Sequence, residues 1–288
     1  MGSAQAAPPA AATELTVAGA AIQVDFKPGD FAIGAAPILE WVRRSASIVA
    51  AYYGRFPSSP LELQLQPQSG AGVQGGQTFG AGRAFMRVRL GREVTPAQLN
   101  SDWVLVHEMT HLALPDSGSE HAWLSEGIAT YVEGVARVQA GNREEADVWA
   151  EELRSMPHGL PQPGDAGLDH THTWGRTYWG GAMFCLLADV DIRQRTQLRF
   201  GLQDALRAVV RASGGLTADW PIARVLRTAD AAVGTTSLED LYARMKDAPV
   251  APDLKDLWQR LGVTPDGASV RLSDDAPLAA VRHAIMRR

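Results

Sequence analysis

The sequence predicts an α+β protein. A small N-terminal α/β lobe with a mixed sheet is expected over residues 13–94, a helical core over 95–195 and a C-terminal helical region over 196–288. Three observations carry this. Before Thr95, apolar residues alternate in short runs separated by glycine, with one longer stretch of helical spacing among them. At "TPAQ" the texture changes to the chemistry of a helix start. Beyond that point the apolar period is helical almost to the end. Composition agrees: 45% hydrophobic and 20% charged residues belong to a globular chain with a full core. A net charge of −5 and the lack of any long basic run remove the electrostatic case for a nucleic-acid partner. No apolar run is long enough to cross a bilayer.

In chain order, "TELTVAGAAIQVDF" (13–26) is extended and partly alternating, as a strand is. Residues 34–54 place Ile38, Trp41, Val42, Ile48, Val49 and Tyr52 at helical spacing, with Gly54 as a stop. "LELQLQ" alternates strictly, putting Leu61, Leu63 and Leu65 on one face of a half-buried strand. A glycine-rich loop over 69–82 leads to the strand "AFMRVRL", where Met86, Val88 and Leu90 oppose Phe85, Arg87 and Arg89. One helix is then expected from Thr95 to about Leu114, ended by Pro115, and a second from about Trp123 to Gln139. Residues 157–175 read as a long Pro/Gly/His-rich loop, of a length that is usually functional or disordered. Helices follow in "TYWGGAMFCLLADVDIRQRT", "LQDALRAVVRA", "DWPIARVLRTADAA", "SLEDLYARMK" and "LKDLWQRLG". The single cysteine, Cys185, sits in an apolar run as a small core residue; alone, it rules out an intramolecular disulfide and a multi-thiolate zinc site.

The chemistry concentrates in "WVLVHEMTHLALPDSGSEHAWLSEGIATYVE" (103–133). His107 and His111 stand four apart, so a helix projects both from one face, one turn apart. Two neutral imidazoles so placed can hold one zinc ion. Glu108 beside them suits a general base that approaches the water without occupying the metal. The same residues would also suit a polar stripe on an amphipathic helix. A catalytic zinc needs a third protein ligand. Ser117 stands where a third histidine six residues past His111 would be needed, and His121 lies in the turn. Glu126 falls in the first turn of the next helix, where a helical hairpin would bring it against the pair.

"HEMTH" followed by "WLSEGIATYVE" resembles the gluzincin metallopeptidases, in particular the aminopeptidase N and glycyl aminopeptidase families. The resemblance implies a thermolysin-like helical catalytic core over residues 95–195. It implies one Zn2+ held by His107, His111 and Glu126, with Glu108 as base and Glu133 orienting a ligand from behind. Thr130 lies between those two glutamates on the same helical face. "TYWGGAMFCLLADVDIR" is similar to the family helix whose tyrosine donates to the oxyanion, which implies that role for Tyr178; Gly180 stands where relatives often carry lysine. The implied activity is a zinc metallopeptidase, endo- or aminopeptidase, acting on peptides or proteins. The family's strand glutamate for a free amino group has no counterpart in "TFGAGRAFMRVRLG".

Arg87, with Arg83 and Arg89, and His121, His172 and Arg176 are further candidates for the cleft, against the plainer reading of solvated faces and a mobile polar loop containing Asp169, His170 and His172. Two rivals remain: a catalytically silent gluzincin fold that binds peptides, and a zinc hydrolase of non-peptide substrates. The opening residues read as an initiator with a cloning scar and an Ala/Pro tail over 1–12. "AQAAPPAAA" resembles the segment just after an export cleavage site, so a periplasmic or secreted location is expected, with a cytoplasmic one as the alternative.

Overall fold

A computed structural model describes residues 12–80 and 82–287. The expected tail lies almost wholly outside them. The first extended stretch is two strands rather than one: β1 (Thr13–Val17) and β2 (Ala20–Phe26) form an antiparallel hairpin. Ala18 and Gly19, with φ of 49° and 79°, make the turn, the positive φ pair that matches strand twist. Helix α1 (Ala35–Tyr53) then crosses to β3 (Leu61–Gln68), which lies parallel to β2, and β5 (Ala84–Gly91) lies parallel to β3. Leu61, Leu63 and Leu65 and then Met86, Val88 and Leu90 are all inaccessible to solvent, as the alternation predicts.

The glycine-rich segment is not a loop. Residues Val73–Phe79 form β4, antiparallel to β5, at the edge of a five-stranded sheet of order β1-β2-β3-β5-β4. Its sequence, VQGGQTF, has little strand propensity of its own. Pairing with β5 and packing against the first histidine-bearing helix hold it in place.

The helix expected over 95–114 is also two. Thr95 and Gln98 close a capping box that starts α2 (Pro96–Ser101). The chain then breaks at Asp102–Trp103 and restarts as α3 (Val104–His111). Asp102 makes the break: its carboxylate accepts from the backbone N–H of Val104 and Leu105, at 3.1 Å each, and from Trp41 Nε1 on α1 at 3.1 Å.

Helix α4 (Ala122–Gln139) packs against α3 and against α6 (Gly181–Arg195). A Cβ on Gly127 would stand 2.2 Å from the Gly181 carbonyl carbon, so α4 and α6 cross at a separation only glycine permits. Between them the sequence reading missed α5 (Glu145–Ser155), whose Val148, Trp149 and Glu152 are buried while Asp147 and Arg154 face out. The C-terminal part contains α7 (Leu202–Ser213), α8 (Ile222–Val233), α9 (Ser237–Met245) and α10 (Leu254–Leu261), as expected. A two-stranded hairpin, β6 (Val263–Asp266) with β7 (Ser269–Leu272), and α11 (Ala279–Met286) complete it and were not anticipated. Buried side chains from the sheet and from all these helices share one hydrophobic cluster, in which Cys185 takes the expected core place. No described helix is long and apolar enough to cross a membrane.

Candidate active site

Helix α3 is enclosed rather than superficial: Val104, Leu105, Val106 and Met109 are buried around it, and so are His107 and Glu108. A solvated polar stripe is therefore ruled out, and these polar groups must be satisfied inside the protein. The turn after α3 returns the chain as α4, and Glu126 swings its carboxylate against the histidine pair. Glu126 Oε2 lies 3.2 Å from His107 Nε2 and 3.4 Å from His111 Nε2. Burial works to raise this carboxyl, but the two imidazoles outweigh it and hold Glu126 down to about 2. Burial works to lower His111, and Glu126 with Glu108 outweighs it, leaving the imidazole above its ordinary value. The other ring nitrogen of His111, Nδ1, is 2.9 Å from Ser125 Oγ, which sets the ring's orientation.

Two imidazole nitrogens and one carboxylate oxygen, all within 4.8 Å of one another, make up this cluster. The donor set fits zinc: nitrogen and oxygen ligands from three residues, with one side open to a cavity of about 700 Å³.

Glu108 is fixed from above by β4. Thr78 Oγ1 stands 2.7 Å from Glu108 Oε2 and 2.9 Å from the Glu108 carbonyl, so its hydroxyl can donate to the carboxylate. A Cβ on Gly76 would fall 2.5 Å from Glu108 Cγ, so glycine is what lets the strand lie directly on this side chain. Because β4 is the sheet edge, Gly76 to Gly80 present their free backbone edge along the cavity.

Tyr178 reaches the same cavity from a π-helical turn, Arg176–Gly180, that precedes α6. Its ring stacks on His107 with centroids 6.3 Å apart and planes 17° apart. Burial, then the Glu126 and Glu108 carboxylates, push the phenol up to about 12, so it remains a hydrogen-bond donor at neutral pH. Trp103 and Trp174 extend this aromatic row on either side, at 5.6 Å from His107 and 6.2 Å from Tyr178.

The other candidates separate. Glu133 lies two turns beyond Glu126, but its carboxylate pairs with Arg137 at 2.6 Å and approaches Arg143 at 3.8 Å. Burial raises its pKa against the pull of those arginines. Thr130 Oγ1 is buried without a hydrogen-bond partner, in a wall it shares with His107 and Glu133. His121 lines the main cavity, its Nδ1 3.1 Å from Asp169. Asp169 also accepts from Trp123 Nε1 at 2.8 Å and Tyr242 OH at 2.6 Å, so this part of the 157–175 segment is pinned rather than mobile.

Three candidates do not face the cavity. Arg87 stacks over Phe79 and Phe85 on the sheet face opposite Met86 and Val88. Arg176 is buried against Asp165 at 2.7 Å and donates to the Gly159 carbonyl, because a guanidinium taken out of water needs both partners. His172 stands exposed, away from the residues that line the cleft. The sequence reading missed Thr78, Gly76 and Ser125. Ser125 carried the one available signal, since it is adjacent to Glu126 on the same first turn.

By sequence the chain matches no family profile and no curated protein. Its fold is that of the M1 zinc metallopeptidases. It resembles the crystal structure of an aminopeptidase N family protein from Idiomarina loihiensis, with a TM-score of 0.61 and 14% identity over 88% of this chain and 49% of that one. It also resembles an M1 zinc metallopeptidase from Deinococcus radiodurans, solved as a Glu-to-Ala mutant with a Tyr-Ser-Ala substrate, with a TM-score of 0.54 and 16% identity over 82% and 50% of the two chains. The chain thus spans about half the length of the solved structures it matches.

Proposed function

We propose that the chain is a zinc-dependent metallopeptidase. The observation that carries this reading is the convergence of His107, His111, Glu126, Glu108 and Tyr178 on one cavity. The M1 fold supports it, as does the tripeptide recorded with one structural neighbour. His107, His111 and Glu126 would hold the ion. Zinc in that set supplies Lewis acidity, which makes water nucleophilic at neutral pH and polarises a carbonyl. Glu108, held by Thr78, takes the proton from the attacking water and returns it to the departing amine. The Tyr178 hydroxyl donates to the oxyanion that forms on the attacked carbonyl oxygen. The free edge of β4 offers amide and carbonyl groups to an extended peptide backbone, a mode tolerant of sequence. Glu108, Asp116 and Glu126 are the acidic residues lining this cavity, and β4 itself carries none.

The test is metal analysis of the purified protein, followed by assay of peptides with free and blocked N-termini, with and without chelator. Glu108→Gln should keep the zinc and lose hydrolysis by about 10²- to 10⁴-fold. A chain that binds no zinc at neutral pH, or a variant as active as the wild type, would sink the reading. Cleavage of blocked peptides would mark an endopeptidase.

A further inference from the structure

His107 and Tyr178 line a second cavity of about 450 Å³ on their far side, walled by α4, α5 and the segment leading to Tyr178. Its lining combines two chemistries. Trp103 and Trp174 offer broad ring faces, 53% and 61% exposed, among the few large hydrophobic side chains left in solvent. Opposite them lie three carboxylates: Glu133, Glu151 and Glu152.

Two of the three carboxyl groups have partners among the described residues and one has none. Arg137 pairs with Glu133 at 2.6 Å and Arg143 with Glu151 at 2.6 Å, with Arg143 also 3.8 Å from Glu133. Among the described residues, no lysine or arginine other than Arg143 lines the cavity. Among the described residues Glu152 takes part in no ion pair; it is 5% exposed, and its Oε2 is buried without a hydrogen-bond partner there. A buried carboxyl without a partner is costly, and native proteins rarely leave one unexplained. A cation entering from the aromatic mouth would supply the missing partner.

We infer that this second cavity binds the basic side chain, lysine or arginine, of a peptide substrate, with Glu152 as its counter-ion and Trp103 and Trp174 as its ring faces. Carboxylate and aromatic surfaces together suit an organic cation, which takes both ion pairing and cation–π contact. A metal ion would find the neighbouring carboxylates already engaged by arginine. The assignment to a substrate side chain rests on the peptidase reading, since the cavity shares its wall, His107 and Tyr178, with the proposed reaction centre. Burial first, then the Glu151 and Glu133 charges, lift Glu152 to about 8 against the pull of Arg143. Arrival of a cation should therefore expel a proton at neutral pH.

Two measurements test this separately. In the first, the purified zinc-loaded chain is titrated calorimetrically with n-butylguanidinium, with n-pentanol and sodium chloride as controls. Saturable binding of the guanidinium alone is expected, with a heat that depends on the buffer's ionisation enthalpy. Glu152→Gln should weaken it by about tenfold or more and abolish the buffer dependence. Trp174→Ala, which removes an exposed ring, should weaken it about threefold. Absence of binding, or equal binding to Glu152→Gln, overturns the inference.

In the second, blocked peptides differing only in lysine, arginine or norleucine beside the scissile bond are compared. The basic peptides should lead in kcat/KM by about tenfold, and the ratio should fall towards unity in Glu152→Gln. Cleavage without that preference overturns the inference and leaves the peptidase reading intact. Guanidinium binding with no cleavage of any peptide removes the peptidase reading, and with it the assignment of the cation to a substrate.

Discussion

The two cavities that meet at His107 and Tyr178 treat their charged groups in opposite ways. In the first, the chain partners its own: Thr78 holds Glu108, and two imidazoles hold Glu126. In the second, Glu133 and Glu151 have arginines while Glu152 has no ion-pair partner among the described residues. The difference teaches where geometry is set in advance and where it awaits a guest. On the proposed peptidase reading, the groups that would act on a reacting bond are fixed by the protein before anything arrives, which lowers the reorganisation needed during reaction. A group that only recognises charge can remain unpaired, at a cost to stability.

The first cavity should therefore break under small displacements. Glu126→Ala, the severest, should reduce bound zinc from about one ion per chain to nearly none by metal analysis, with hydrolysis lost alongside. Gly76→Ala comes next, because its new methyl would overlap Glu108 Cγ at 2.5 Å. A shift of that kind should lower kcat/KM by about 10²-fold while zinc content stays constant. Thr78→Val keeps the shape and removes only the hydroxyl, so kcat should fall by about tenfold with little change in KM.

The second cavity should respond mainly in stability. Glu152 ionises near 4.5 in the unfolded chain and near 8 in the folded one. Its contribution to stability is complete below the lower value and is lost as pH rises towards the upper one. Glu152→Gln has no such dependence. From about pH 4 to about pH 9, the variant should gain on the wild type by on the order of 5 kcal/mol in urea denaturation. Equal pH profiles would show that the carboxyl is paired after all.

The grouping of His107, His111 and Glu126 was legible because its logic is local. His107 and His111 need only one helix, and Glu126 needs one turn and the start of the next. Thr78 was not legible, because β4 owes its strand character to β5 and α3 rather than to its own glycine-rich sequence. The break at Asp102 was hidden for a similar reason. Apolar periodicity runs on through residues 95–114, while the carboxylate that interrupts it is stabilised by Trp41, 61 positions earlier. Helix α5 escaped notice because charge dominates its outer face. Arg176 read as a candidate for the cleft, and only the fold reveals that Asp165 draws it inward. The α+β class and the mixed sheet could be read from alternation; the order of strands in the sheet could not.

The break at Asp102 has a consequence for phase. Because α3 starts afresh there, the azimuth at which His107 and His111 project is not inherited from the capping box at Thr95. Asp102, anchored to α1, sets it anew. A residue inserted in α2 can be absorbed at the kink without turning the imidazoles. One inserted between Asp102 and His107 would rotate both by about 100°, away from Glu126. Tolerance to insertion should therefore change abruptly at a single aspartate.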